Sequence, residues 1–232
     1  MKRGFLIAGV ILIAAAVAWF LRPRPRALPL PPKPRTVAGV LAEIGPQVDA
    51  RLRPDFTAAG ISYPPERVVL LAFKQERRID LLAAGTTGPL RLVRSFPILG
   101  ASGEAGPKRR EGDRQVPEGF YRFELLNPNS LYHLSLRVDY PNADDRARAE
   151  AEGQDRTTLG GDIMIHGGEA SIGCLAVGDP AAEDLFVLAA RTGLERIELL
   201  IFPWDFRKAP AQSTDEFSAA LYERLTQVLS KM

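Results

Sequence analysis

Residues 162–179 read DIMIHGGEASIGCLAVGD, and the fold is read outward from them. The apolar run 162–165 predicts a short strand that delivers His166 at its end. Gly167 and Gly168 follow at once and let the backbone turn tightly. Ser171-Ile172-Gly173-Cys174 comes next, eight positions on from the histidine (174 − 166 = 8). Asp179-Pro180 then opens a helix, with Asp as N-cap and Pro at the first helical position. That helix is expected to reach Arg191 or Thr192 and to stop near Gly193. Strand, glycine turn and helix together put an imidazole and a thiol on the two sides of one turn.

Thiol chemistry needs that pairing. A free cysteine has a pKa of about 8.5 and is mostly protonated at neutral pH. An adjacent imidazole can take the proton and hold a thiolate–imidazolium pair. Gly173 permits close approach of a substrate, and the N–H groups around Gly173 and Cys174 are candidate oxyanion donors, each supplying about 3 kcal/mol. Cys174 is the only cysteine. It can form no intrachain disulfide, and a zinc site with two cysteine ligands is excluded. His133, His166 and Cys174 would make a poor metal set, so no metal or organic cofactor is expected. On spacing alone, a buried cysteine beside a satisfied histidine is the alternative reading.

Working outward, strand patterns dominate. Residues 67–73 (RVVLLAF) and 79–84 (IDLLAA) flank a polar 74–78 and predict a hairpin. Residues 90–98 alternate as a half-buried strand does. Residues 119–125 and 131–138 predict an antiparallel pair joined through Asn127-Pro128-Asn129-Ser130, and 196–202 (RIELLIF) another strand. The Gly/Lys/Arg-rich stretch 100–117 is a long loop of the kind that carries function. Ser213-x-x-Glu216 predicts a capping box for a helix with Phe217, Leu221, Leu225 and Val228 on its apolar face. Apolar spacing over 36–59 is helical, but Pro46 and Pro54 predict one or two short helices there. The expected class is mixed α+β, mainly antiparallel β: a sandwich decorated with helices.

The 232 residues, 46% hydrophobic and 25% charged, suit one globular domain with extensions. Thirty Lys+Arg against 28 Asp+Glu leave a net charge of only +2, scattered rather than striped, so nucleic acid is not an expected partner. Residues 4–21 carry no charge after Lys2 and Arg3 and are long enough to cover most of a ~30 Å hydrocarbon core. They read as a signal anchor or a signal peptide, with Ala16-Val17-Ala18 as a small-x-small cleavage pattern. Arg22, Arg24 and Arg26, just after the run, pull against export. The proline-rich 22–35 is a semi-rigid stalk. The organisation expected is therefore an N-terminal transmembrane or signal helix (1–21), a linker (22–35), a helical lead-in (36–60), a catalytic domain (61–206) and a C-terminal helix (207–232).

The HG of His166-Gly167 followed by the S-x-G-C of Ser171 to Cys174 resembles the catalytic signature of the L,D-transpeptidase (YkuD-type) domain. Gly112-Asp113-Arg114-Gln115-Val116-Pro117-Glu118-Gly119-Phe120 resembles that family's G-D-x-x-T-P-x-G-x-F segment. Asn127-Pro128-Asn129-Ser130-x-Tyr132-His133-Leu134-Ser135 and Tyr140-Pro141-Asn142-Ala143-x-Asp145-Arg146 are similar to phrases of its YafK-like, murein-amidase branch. The resemblance implies Cys174 as nucleophile, His166 as base, and Gly173, Ser171 and Gly167 in the active-site loop. It also implies a peptidoglycan stem peptide as substrate, cut at diaminopimelate through a thioester. A periplasmic location follows, either anchored in the inner membrane through the N-terminal helix or secreted. Ile172 and Ala176 stand where most members carry His and Arg, which leaves transpeptidation and hydrolysis both open, the latter including release of a wall-linked lipoprotein. A non-catalytic wall-binding module of the same fold is the rival. His133 reads as structural or substrate-side, and Lys108 and Arg110 as solvated or as contacts for stem-peptide carboxylates.

Overall fold

The computed structural model describes residues 33–213 and 215–232. The apolar segment 1–21 and the first part of the stalk lie outside the described residues. No helix among the described residues is long and apolar enough to cross a membrane. Residues 35–232 form one compact unit.

Two five-stranded sheets organise that unit. The uninterrupted apolar runs become β1 (Arg67–Phe73) and β10 (Ile197–Phe202), which pair in parallel at the centre of the first sheet. A strand buried on both faces needs apolar residues at every position, since neighbours point to opposite sides. Val68, Leu70 and Ala72 accordingly enter the core between the sheets, while Val69, Leu71 and Phe73 enter a second core. β2 (Arg78–Ala84) and β3 (Arg91–Pro97) extend this sheet on one side and β5 (Gly119–Tyr121) on the other, in the order β3-β2-β1-β10-β5. The second sheet runs β4-β9-β8-β7-β6, from β4 (Gly100–Ala101), β9 (Leu175–Ala176), β8 (Met164–His166), β7 (His133–Val138) and β6 (Phe123–Ser130). All pairings except β1–β10 and β8–β9 are antiparallel.

Among the described residues four α-helices cover the sheets: α1 (Val37–Ala58), α2 (Ala143–Ala151), α3 (Asp179–Thr192) and α4 (Glu216–Leu229). α3 packs on β7, and α1 packs on α3. α4 closes the second core with Tyr222, Leu225 and Leu229.

Five expectations need correcting. The lead-in is one helix with Pro46 and Pro54 inside it, because a buried stripe of Val40, Val48, Leu52 and Phe56 holds it together across two missing N–H donors. The run 119–125 is not one strand. Tyr121 ends β5 in the first sheet and Phe123 starts β6 in the second, with the step fixed by Arg122 N–H donating to Asp139 Oδ1 at 2.9 Å. Asn127 to Ser130 belong to β6 as an irregular stretch, and the hairpin turns at Leu131-Tyr132. There the Asn129 side chain is occupied with the backbone of Arg35, in bonds of 2.7 and 2.8 Å. The cap of α4 is Asp215, which accepts from Ser218 N–H at 2.8 Å, while Ser213 bonds only to Asp215. The fifth, at Asp179, belongs to the site.

Candidate active site

His166 ends β8, and Cys174 immediately precedes β9. These two strands are parallel neighbours with Ile165 opposite Leu175 and His166 opposite Ala176. Parallel strands ordinarily need a dozen or more connecting residues. Here the short glycine-bearing crossover suffices. Ile165 and Leu175 face the core, so by alternation His166 and Cys174 project from the other face of the sheet, as diagonal neighbours.

The crossover is fastened group by group. Gly167 N–H donates to Leu134 O at 3.2 Å, Gly178 N–H to Gly168 O at 2.9 Å, and Val177 N–H to His166 O at 2.9 Å. Gly168 N–H donates to Asp179 Oδ1 at 2.9 Å. Asp179 is therefore not the expected N-cap: it lies inside α3, Gly178 takes the cap position without a side-chain bond, and the carboxylate serves the turn. A Cβ on Gly167 would stand 2.4 Å from Asp179 Oδ1 and 2.8 Å from Tyr132 O, so only glycine fits.

His166 is 3% exposed. Its Nδ1 lies 2.6 Å from Gly167 O. A carbonyl only accepts, so Nδ1 carries the hydrogen and Nε2 of the neutral ring is left with its lone pair. Burial lowers the pKa of the imidazole, and the Gly167 bond partly offsets this. The Tyr132 ring stacks on the imidazole, centroids 4.7 Å apart and planes inclined by 29°.

Cys174 is half-buried. Its thiol is 3.6 Å from Asp162 O, and no hydrogen bond joins it to the imidazole. Burial raises its pKa; the Met164 N–H works the other way, the Asp162 carboxylate raises it further, and Lys108 lowers it. Burial thus disfavours the charged form of both groups. Ser171 Oγ donates to Cys174 O at 2.6 Å and stands 3.4 Å from Gly173 N. Gly173 itself has φ +119°, a conformation that favours glycine.

The segment 102–117 lies against this strand pair. Gln115 O and Ile163 are the nearest neighbours of a Cβ on Gly173, at 3.5 and 3.6 Å, and Ser102 Oγ is 3.5 Å from Ser171 Oγ. The base of the segment is pinned by a buried network. Lys74 Nζ donates to Glu118 Oε1 at 2.8 Å and to the carbonyls of Gly106 and Val116 at 3.1 Å. Glu118 also accepts from Gly106 N–H at 2.8 Å and from Tyr222 Oη at 2.7 Å.

The expected charge run divides three ways. Lys108 is buried and bonded to Asp113 at 2.6 Å and to Arg110 O at 2.7 Å. Arg109 pairs with Glu152 and Asp215. Arg110 is exposed and, among the described residues, its guanidinium has no partner; the same holds for Arg114. His133 points its ring away to Glu183 Oε1 on α3, 3.0 Å from Nε2. It is Tyr132, not His133, that meets the imidazole. Around the site Leu131, Tyr132 and Ile172 are exposed at 98%, 45% and 78%, an apolar rim. A cavity of about 270 Å³ between β5, α2 and α4 is lined by Phe120, Tyr121, Asn142, Arg148 and Leu221, and touches neither His166 nor Cys174.

Within the second of two sheets, a histidine at the end of one strand and a cysteine just before its parallel neighbour flank one short crossover. The sequence model of the L,D-transpeptidase catalytic domain (YkuD) matches residues 67–195, more than half of the chain, and the chain belongs to that family. YafK of Escherichia coli strain K12 is 33% identical over 142 residues, which are 59% of this chain and 54% of that protein. YafK of E. coli O157:H7 matches identically. The chain thus spans about half the length of the curated relatives it matches. Among solved structures, the K307A mutant of the helical cell shape determining protein Pgp2 from Campylobacter jejuni aligns over 84% of this chain and 63% of its own, with 20% identity and a TM-score of 0.48. L,D-transpeptidase 1 of Mycobacterium tuberculosis aligns over 58% and 61%, with 13% identity and a TM-score of 0.33.

Proposed function

We propose that this protein is a peptidoglycan-modifying cysteine enzyme in which Cys174 is the nucleophile and His166 the general base. The observation that carries the reading is the 2.6 Å approach of His166 Nδ1 to Gly167 O, which assigns the hydrogen to Nδ1 and leaves Nε2 as the proton acceptor. Cys174 stands one residue before the neighbouring strand, and alternation from Leu175 carries its side chain to the face of His166. Burial disfavours both ions, which supports proton transfer to Nε2 during attack rather than before it. The thiolate attacks the carbonyl at the L-centre of diaminopimelate in a stem peptide. The Gly173 and Cys174 N–H groups face the developing oxyanion, and the Gly173 N–H is engaged only by a long contact to Ser171. Nε2–H then protonates the leaving amine, and a thioester remains on Cys174.

An amine acceptor completes transpeptidation, and water completes hydrolysis; release of a wall-linked lipoprotein is a case of the latter. Arg110 and Arg114 are the exposed cations suited to stem-peptide carboxylates, through bidentate bonds. Lys108, buried and paired, acts on the site through its field. A peptidoglycan substrate places the domain outside the cytoplasmic membrane, with residues 1–21 as its export or anchoring segment. The experiment is to incubate the protein and its Cys174→Ala variant with sacculi that retain their bound lipoprotein, and to identify the released muropeptides by mass spectrometry. New 3–3 dimers lost in the variant mean transfer. Trimmed stems or freed lipoprotein without dimers mean hydrolysis. Identical profiles from both proteins refute the reading and favour a binding module.

A further inference from the structure

We propose that Asp179 is a positioning residue for His166 that acts through the Gly167–Gly168 peptide. The inference rests on His166 being the base. Gly167 O, which accepts from His166 Nδ1, and Gly168 N–H, which donates to Asp179 Oδ1, belong to one peptide unit. A peptide is planar, so fixing its N–H fixes the direction of its C=O. The remaining groups of the two glycines are taken by Leu134 O and Gly178 N–H. The plane of the Gly167–Gly168 peptide is therefore set at its amide end by the carboxylate alone among side chains, and the imidazole reads out that plane.

What matters is the oxygen rather than the charge. Asp179 is exposed, and across an intervening peptide its field is screened by solvent and salt. The carboxylate is not used to cap its own helix, where Gly178 holds the cap position with no side-chain bond. Without the acceptor, the peptide is free to tilt, Gly167 O leaves the ring plane, and Nδ1–H loses the partner that selects it. The Nε2–H tautomer then becomes populated, and that form cannot accept the thiol proton.

The test uses the full-length protein labelled with nitrogen-15, whose two histidines are easily told apart. Long-range proton–nitrogen spectra at pH 8 report the His166 tautomer. The wild type is expected in the Nδ1–H form, Asp179→Ala in a mixture of both forms, and Asp179→Asn, whose amide oxygen still accepts from Gly168 N–H, in the Nδ1–H form again. Turnover on sacculi should fall about tenfold in Asp179→Ala and return in Asp179→Asn. A wild-type tautomer in Asp179→Ala overturns the proposal, even if its melting temperature drops, since that pattern is helix stabilisation alone. A folded Asp179→Asn in mixed form overturns it equally. The tautomer needs no substrate, so a shift in Asp179→Ala supports the positioning role even where no muropeptide is released and the peptidoglycan reading fails.

Discussion

Glu118→Gln removes one charge from the network beneath the 102–117 segment and leaves its shape. The new amide oxygen still accepts from Lys74 and Gly106, and the amide nitrogen can donate to the Tyr222 hydroxyl, so hydrogen bonds survive and the loss is electrostatic. Lys74 is 8% exposed and Glu118 2%. Breaking a buried pair by neutralising one partner costs about 3–5 kcal/mol, and the retained acceptors argue for the low end, about 3 kcal/mol. For a domain of this size that is a fall of about 6–12 °C in melting temperature. The pH dependence gives a sharper check. Burial already lowers the pKa of Lys74, and Glu118 opposes that. Without Glu118 the folded-state value drops further below the unfolded one. A lowered lysine costs stability wherever it must stay charged in the fold, and the cost is relieved as pH rises through the folded value towards the unfolded one. Thermal melts followed by circular dichroism from pH 6 to 10 should show the widest gap between wild type and variant at the acid end, narrowing as pH rises towards the unfolded lysine value. A gap that is constant with pH, or below about 2 °C throughout, would refute the claim that the ion pair fixes this segment.

At neutral pH, alkylation of Cys174 by iodoacetamide should be slow, with thiolate below a few per cent, and should climb steeply above pH 9. A plateau between pH 5 and 8 would mean a resting ion pair instead. His166→Ala should leave that alkylation profile within about twofold while cutting turnover about 10²–10⁴-fold, because the base acts during attack and not before it. Gly167→Ala must displace Asp179 and the Tyr132 carbonyl and should cost about 1–3 kcal/mol in chemical denaturation together with most activity; unchanged stability would contradict the packing described. Tyr132→Ala removes the ring stacked on His166, worth about 0.5–1.5 kcal/mol, and should lower turnover several-fold, with Tyr132→Phe close to wild type.

The strands were legible where both faces are buried. The unbroken apolar runs that became β1 and β10 leave little else for those residues to do. That β1 and β10 pair in parallel was not legible, because the contact spans more than a hundred residues and no local pattern marks it. The same limit explains Arg122: the apolar pattern runs on across it, and the change of sheet comes from Asp139 seventeen positions away. That a short crossover separates His166 from Cys174 was legible in the glycines between them, while their catalytic roles were expected from the family resemblance. Tyr132 was not, because the turn was expected at 127–130. A turn displaced by a residue or two exchanges which neighbour faces the site, and the positive φ of His133 completes the change. Asp179 was misread for a related reason. Asp-Pro is a strong local helix-start signal, whereas the group it serves lies eleven positions upstream. Lys108 looked solvated because its burial depends on Asp113 and on Tyr140, whose ring centre is 5.9 Å from Nζ.

The departures at Ile172 and Ala176 now have a physical setting. Ile172 is 78% exposed, so an apolar side chain meets solvent where a histidine would be polar. Ala176 is fully buried opposite His166.

The most direct test of the central claim is the mass of the intact protein after brief mixing with a purified disaccharide-tetrapeptide and acid quenching. A gain equal to the donor less its released terminal D-alanine, mapped by digestion to Cys174 and absent from Cys174→Ala, is the predicted thioester. An unmodified wild-type mass under conditions where the same preparation changes the muropeptide profile would contradict covalent catalysis at Cys174.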